Sequence, residues 1–236
     1  MKIDTSSPIV VLTGAGISAE SGLATFRDQG GLWEGHSIED VATPEGFHKN
    51  PDLVFDFYNM RRREAARAKP NAAHNALAAL ENAWDGDFLL ITQNVDDLHE
   101  RAGSKRMLHM HGRLDSALCY ECGSHQHWEG DLDRDCFCSS CSRPSLRPDI
   151  VWFGEMPYDM DAIEVALEKA ALFVAIGTSG TVYPAAGFVA GAAAAGAHTV
   201  EINLEATGNS LFRECRTGSA STAVPDFVAT LLGKKP

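Results

Sequence analysis

Phe88-Leu89-Leu90-Ile91-Thr92-Gln93-Asn94-Val95-Asp96 is the stretch that decides the fold. Its first half is a continuous apolar run, the mark of a strand buried on both faces. Its second half turns abruptly polar, and open α/β sheets place their ligand crevice at the carboxyl ends of the strands. Upstream, the β-branched run Pro8 to Thr13 enters a glycine turn, Gly14-Ala15-Gly16-Ile17-Ser18. Downstream, Met107 to Met110 reads as a short strand, followed by His111-Gly112. Leu172 to Ile176 enters Gly177-Thr178-Ser179-Gly180, and Thr199 to Leu204 is a further strand.

Helical patterns lie between these runs. Ser18 to Leu23 would open a helix after the first turn. Asn50 to Lys69 has Pro51 at an early helical position and is stopped by Pro70. Ala72 to Ala83 and Pro184 to Ala195 are rich in small residues, and Ile150 to Phe153 is extended. Strand and helix alternate at both ends of the chain. The expected class is α/β: a Rossmann-like parallel sheet with helices on both faces, plus a small domain. Residues 1–32, 86–115 and 148–236 would form the nucleotide-binding part, with a helical insert at 33–85 and a cysteine module at 116–147.

With 236 residues, 44% of them hydrophobic and 22% charged, the chain is of ordinary globular composition. A net charge of −12 argues against nucleic acid or an anionic membrane as partner; basic protein segments would suit it better, although an acidic surface serving only solubility is the plainer reading. Ala190 to Ala197, the longest alanine-rich stretch, is interrupted by Gly191 and Gly196 and is too short to span a bilayer. Met1 to Ser7 carries Asp4 and one lysine, which is neither a secretory signal nor an Arg-rich transit peptide. A complete cytoplasmic protein is expected. In that compartment six cysteines read as metal ligands before disulfides.

Gly14-x-Gly16-x-x-Ala19 fits the loose dinucleotide fingerprint, in which glycines let backbone N–H groups approach a pyrophosphate. A dehydrogenase would add a second strand ending in an acid about 20 residues on. That window here holds Gly30-Gly31-Leu32-Trp33-Glu34, a loop. The acid could come instead from Glu205, after Asn203-Leu204, with Gly177 to Ser179 as a second phosphate-facing turn.

Cys119-x-x-Cys122 followed by Cys138-x-x-Cys141 offers four thiolates for tetrahedral zinc, a closed set and hence a structural site. Cys136 competes with Cys138 for one position, and His125 and His127 are further candidates. In the helix after Pro51, Val54, Phe57, Tyr58 and Arg61 share one face. Arg61 therefore sits on the apolar stripe, while Arg62 and Arg63 can point elsewhere. It either snorkels from a core edge or, with Tyr58, grips a carboxylate at the end of an apolar tunnel.

Taken together, these residues resemble the sirtuin family of NAD-dependent protein lysine deacylases. The likeness runs through the first glycine turn, Gly22-Leu23-Ala24-Thr25-Phe26-Arg27, Gln93-Asn94-Val95-Asp96, His109-Met110-His111-Gly112, the cysteine pairs, Val151-Trp152-Phe153-Gly154-Glu155, Gly177-Thr178-Ser179 and Asn203-Leu204-Glu205. Tyr58-x-x-Arg61 with Ala42 resembles the class III branch, which includes desuccinylases and bacterial deacylases. Val95 stands where isoleucine is common in the family.

The resemblance implies that NAD is consumed as co-substrate and that acylated-lysine proteins are the partners, with the chain acting as a monomer. His111 would be the general base toward a ribose hydroxyl, a role suited to a near-neutral pKa. His109 shares its side of an extended strand, so spacing alone leaves both open; the family pattern selects His111. Asn94 and Asp96 would orient the nicotinamide end. Phe26, Arg27 and Trp33 would cover the cofactor, with Gly14, Ala15, Gly16, Ser18, Gln93, Gly177, Thr178, Ser179, Asn203, Leu204, Glu205 and Ala220 lining its site. Val151, Phe153, Gly154 and Glu155 would take the substrate peptide as an added strand beside Ala42, Tyr58 and Arg61. Two rival readings are an NAD-dependent protein ADP-ribosyltransferase and a non-enzymatic NAD-sensing zinc protein. A dehydrogenase is a third.

Overall fold

The computed structural model describes residues 3–25, 33 and 35–233. In chain order the elements are β1 (Ile9–Thr13), α1 (Ile38–Val41), α2 (Pro44–Lys49), α3 (Pro51–Arg67), α4 (Ala72–Ala83), β2 (Phe88–Thr92), α5 (Leu98–Ala102), β3 (Met107–His109) and β4 (Gly112–Cys119). They continue with β5 (His125–His127), β6 (Leu146–Ile150), α6 (Met160–Lys169), β7 (Leu172–Ile176), α7 (Phe188–Ala194), β8 (His198–Asn203), β9 (Glu214–Thr217) and α8 (Ala220–Leu231). Among the described residues no helix is long and apolar enough to cross a membrane.

Six strands form one sheet in the order β3-β2-β1-β7-β8-β9, every pair parallel. The alternation along β1 shows why it is central. Ile9 and Val11 join Leu77 and Leu80 of α4 and Val224 and Phe227 of α8 in one core. Val10 and Leu12 face the opposite way, onto Ile163 and Leu167 of α6 and Phe188 and Val189 of α7. Burial of each such side chain contributes about 1.5–3 kcal/mol. The chain order reverses between β1 and β7, so the crevice of a doubly wound sheet opens at Thr13-Gly14 and Ile176-Gly177.

A second, antiparallel sheet of order β5-β4-β6 lies apart. Val54, Phe57 and Tyr58 of α3 pack with Leu114 of β4 and Ile150 of β6, and Phe55 reaches a smaller core with Ala117, Leu132 and Leu146.

Several sequence expectations are corrected. Ser18 to Leu23 is not an α-helix. The chain makes two short 3-10 turns, Ala15–Ile17 and Ala19–Ser21, and Gly22 at φ 87° ends them in the left-handed region after too few residues to nucleate a helix. Pro184 to Ala195 likewise begins as a 3-10 turn before α7. The extended run at Ile150 to Phe153 ends a strand that starts earlier, at Leu146, and Phe153-Gly154 already turns. α4, placed by sequence in the 33–85 insert, packs on the large sheet through Leu77 and Leu80, and β4 runs unbroken across the 115/116 boundary.

Candidate active site

The glycine turns meet because nothing larger fits. A Cβ at Gly14 would lie 2.8 Å from the Gly177 carbonyl oxygen, and one at Gly16 would lie 2.7 Å from Gly177 Cα. Gly16 N–H donates to that same carbonyl at 2.8 Å, and Gly177 itself sits at φ 61°. The two turns form the floor of a cavity of about 880 Å³. Of the predicted cofactor positions, Gly14, Ala15, Gly16, Ser18, Gln93, Asn94, Asp96, Gly177, Thr178, Ser179, Asn203, Leu204, Glu205 and Ala220 line it. Phe26 and Arg27 lie outside the described residues.

Behind the floor, polar side chains hold one another. Ser18 Oγ donates to Asp96 Oδ2 at 3.1 Å and accepts from Asn94 Nδ2 at 3.1 Å. Asp96 Oδ1 accepts the Leu98 N–H at 3.1 Å. Burial pushes the Asp96 carboxyl above its ordinary value, while the bonds from Leu98 and Ser18 pull the other way. Gln93 Nε2 donates to Thr178 Oγ1 at 3.1 Å, and Asn203 Nδ2 to the Thr178 carbonyl at 2.9 Å. These bonds tie the ends of β2, β7 and β8 into one rim.

The structure separates the two candidate histidines. His109 places Nδ1 3.0 Å from the Asn94 carbonyl oxygen and Nε2 2.7 Å from Glu100 Oε1. Both ring nitrogens are thus engaged, and His109 does not line the cavity. His111 lines the cavity, with Nδ1 3.2 Å from the Gln93 carbonyl oxygen. That carbonyl requires the proton on Nδ1 and leaves the lone pair on Nε2. Burial lowers the His111 pKa below the usual imidazole value, against a smaller raising effect of the Gln93 bond. The ring is a neutral base at pH 7.

Farther along the cavity the walls become side chains. Ala42, Tyr58, Arg61 and Trp33 line it, together with Val151, Phe153, Gly154 and Glu155. Tyr58 is fully buried and Arg61 is 8% exposed, so the stripe read from α3 faces inward. The Arg61 guanidinium lies 5.4 Å from the Trp33 ring centroid, over the ring, and Nη1 is 3.6 Å from Glu64 Oε2. Trp33 packs edge-on to Phe57 at 4.8 Å, which puts it at this end and not among the glycine turns. Burial pushes the Tyr58 hydroxyl pKa up, and it stays protonated. Arg62 points elsewhere than Arg61, outside the cavity lining. It is buried, its Nε donating to the Leu114 carbonyl and its Nη1 to Asn59 Oδ1 at 2.7 Å. Arg63 is the outward one, paired with Asp131.

The glycine turns, a neutral imidazole and a buried guanidinium thus line one cavity. The model of the Sir2 family matches residues 14–184. The chain belongs to the Sir2 family. An NAD-dependent protein deacylase of Bdellovibrio bacteriovorus is 59% identical to this sirtuin over 228 residues, 95% of this chain and 96% of that one. One of Escherichia coli strain K12 is 56% identical over 229 residues, 95% of this chain and 82% of that one. A solved Sir2 homologue in complex with NAD superposes with TM-score 0.86 at 38% identity, covering 94% of this chain and 88% of its own. A Sir2 bound to acetylated peptide gives 0.79 at 28% identity, with 97% and 93% covered.

The sirtuin's cysteine module resolves its own ambiguity. The sulfurs of Cys119, Cys122, Cys138 and Cys141 all lie within 4.8 Å of one another. Cys119–Cys141 and Cys122–Cys138 are each 3.7 Å apart, close to the edge of about 3.8 Å that a tetrahedron with ~2.3 Å Zn–S bonds requires. The set fits one structural zinc. Cys136 is engaged elsewhere, its thiol 3.1 Å from Asp133 Oδ1. His125 bonds Asp149 at 2.8 Å and His127 bonds Glu129 at 3.2 Å, so neither joins the cluster.

Some site residues escaped the sequence reading. Ala65 lines the cavity one turn beyond Arg61, so the stripe on α3 could have revealed it. Leu114, Ile150 and the Trp152 side chain also line it, but they come from strands whose inward faces only the β4–β6 pairing defines. His74 bonds Ser18 Oγ through Nε2 at 3.5 Å from behind the site. Its only local sign is the N-x-x-H spacing of the box it forms with Asn71 at the start of α4.

Proposed function

We propose that this sirtuin removes acidic acyl groups, succinyl and malonyl, from lysine side chains in preference to acetyl. The chain is an NAD-dependent protein deacylase. It consumes NAD and one water, and releases nicotinamide, the freed lysine and O-acyl-ADP-ribose. The observation that carries the acyl preference is the buried Tyr58–Arg61 pair lining the cavity. A guanidinium presents a planar fork to a carboxylate, and a buried protonated phenol adds a third donor. An acetyl methyl would meet the same donors and satisfy none of them.

In this reading the substrates are acyl-lysine proteins. The acyl oxygen attacks C1′ of the nicotinamide ribose as nicotinamide departs, with Asn94 and Asp96 holding that end. His111 Nε2, its lone pair set by the Nδ1–H bond to Gln93, takes the proton of the ribose hydroxyl that next attacks the acyl carbon. The peptide runs beside Val151 to Gly154. The N–H groups of Val151 and Phe153 are already given to the carbonyls of His111 and Ala42, so the peptide would use the carbonyls of this segment and the Gly154 N–H. Six unpaired thiols fit a reducing compartment, the cytoplasm.

The test is kcat/KM on succinyl-, malonyl- and acetyl-lysine forms of one peptide, with wild type and Arg61→Met. The expected result is a higher succinyl than acetyl value, with the ratio collapsing in the variant. An unchanged ratio would sink the acyl-sensing role. Recovery of ADP-ribosylated protein instead of O-acyl-ADP-ribose would favour the transferase reading. A His111→Ala protein that keeps its cellular effect would favour the sensor.

A further inference from the structure

The phenol at the acyl end is itself oriented by a neighbour. Trp152 Nε1–H lies 3.1 Å from the Tyr58 hydroxyl in a fully buried contact. An indole nitrogen only donates, so the Tyr58 oxygen accepts this bond. The tyrosine's own proton must therefore point elsewhere, and Tyr58 borders the cavity.

Trp152 is held on several sides. The Arg147 guanidinium stacks over the indole with its carbon 4.0 Å from the ring centroid, and the Phe47 ring packs against it at 5.2 Å. Arg147 Nη2 donates to Glu155 Oε1 at 2.7 Å, and Glu155 Oε2 accepts the Trp152 backbone N–H at 2.8 Å. One carboxylate thus fixes both the cation above the ring and the backbone that carries it. Arg147 is buried and Glu155 partly so, at 27% exposure.

We infer that Trp152, locked by the Arg147–Glu155 pair, is a positioning residue for acyl selectivity: it fixes the Tyr58 hydroxyl as a donor toward the acyl end. A phenol whose oxygen is already occupied offers only a proton. A carboxylate terminus accepts it, whereas a methyl terminus leaves it unsatisfied, which costs binding. A phenylalanine at 152 would keep the ring and free the phenol to rotate. The inference rests on the acidic-acyl reading above and adds to it a residue that acts through Tyr58.

The experiment measures kcat and KM separately for succinyl and acetyl forms of one peptide, with Trp152→Phe, Tyr58→Phe, the double variant and Arg61→Met, alongside thermal melts. Losing one oriented donor should lower the succinyl-to-acetyl ratio about fivefold to tenfold in Trp152→Phe, mainly through succinyl KM. Adding Trp152→Phe to Tyr58→Phe should lower it no further. Equal losses on both substrates, or an undiminished effect in the Tyr58→Phe background, would overturn the inference. A ratio that responds to Arg61→Met but not to Trp152→Phe defeats Trp152 alone; a ratio that ignores Arg61→Met defeats the acidic-acyl reading. Should Trp152→Phe fail to fold, Arg147→Lys, which keeps the charge and loses the stacked plane, must itself lower the ratio, and no change there overturns the inference.

Discussion

At the nucleotide end of the cavity the wall is backbone, with Gly14 and Gly16 pressed against Gly177 and three strand ends tied together by Gln93 and Asn203. At the proposed acyl end the wall is side chain, with Tyr58, Arg61, Trp33 and Trp152 projecting from α3 and from loops. The first end leaves no room for substitution without moving a neighbouring main chain. The second can be altered one group at a time. Changes at the nucleotide end should therefore affect every substrate alike, and changes at the acyl end should move one substrate against another.

The largest effect belongs to His111, the proposed base. Replacing His111 with alanine should lower kcat about 10²–10⁴-fold, equally for acetyl and succinyl peptides. Because burial lowers its pKa, the wild-type rate should stay high below pH 6.5 and decline only as pH falls through the depressed value. Unequal losses on the two substrates would mean that the ring also reads the acyl group, and the contrast between the ends would break.

Next comes the acid stability of the layer behind the floor. Burial lowers the His74 pKa from 6.5 to about 4. The unfolded chain therefore binds the proton more readily between these values, and the sign follows: stability is complete above about pH 6.5 and falls as pH drops toward 4, by at most about 3 kcal/mol. His99, packed edge-on to His74 at 4.8 Å and also lowered by burial, adds to the trend. Asp96, whose pKa burial raises, acts in the opposite sense at lower pH. Melting midpoints between pH 7 and 4 should show a shallower fall for His74→Gln than for wild type. Equal slopes would assign the acid loss to other groups.

The same contrast explains what the sequence disclosed. β1, β2 and β7 are buried on both faces, so their continuous apolar runs and the glycines that follow were readable locally. The stripe from Val54 to Arg61 was readable because a helix repeats its face every few residues. The choice between His109 and His111 was not, because it depends on Glu100 from α5 and on two carbonyls that only the fold brings near. Trp152 and Tyr58 meet across 94 positions of chain, and Ser18 and His74 across 56. β9, a short edge strand reading Glu-Cys-Arg-Thr, carries no apolar pattern to announce it. The helix expected after Ser18 failed because Gly22 closes the segment before one can form.

At the acyl end, Arg61→Met should reduce the succinyl-to-acetyl ratio about tenfold to a hundredfold, the range for losing a charge-assisted hydrogen bond. Acetyl turnover should change much less, since a methyl terminus draws nothing from the guanidinium. A parallel loss on both substrates would show that Arg61 holds the tunnel open and does not read its occupant.

The smallest effect tests whether that end can be tuned from outside. Glu64 lies one turn from Arg61 on α3, 3.6 Å from its Nη1, and is partly exposed. An acyl carboxylate entering the tunnel competes with this side chain for the same cation. Exposed pairs of this kind are worth about 0.2–1 kcal/mol, so releasing Arg61 should strengthen its hold on the acyl group about twofold. Glu64→Gln should raise the succinyl-to-acetyl ratio by that factor at low salt, and the gain should shrink as salt screens the pair. A decrease would mean that Glu64 holds the guanidinium in its productive orientation. The acyl end would then be pre-set by its own contacts, much as the nucleotide end is by its glycines.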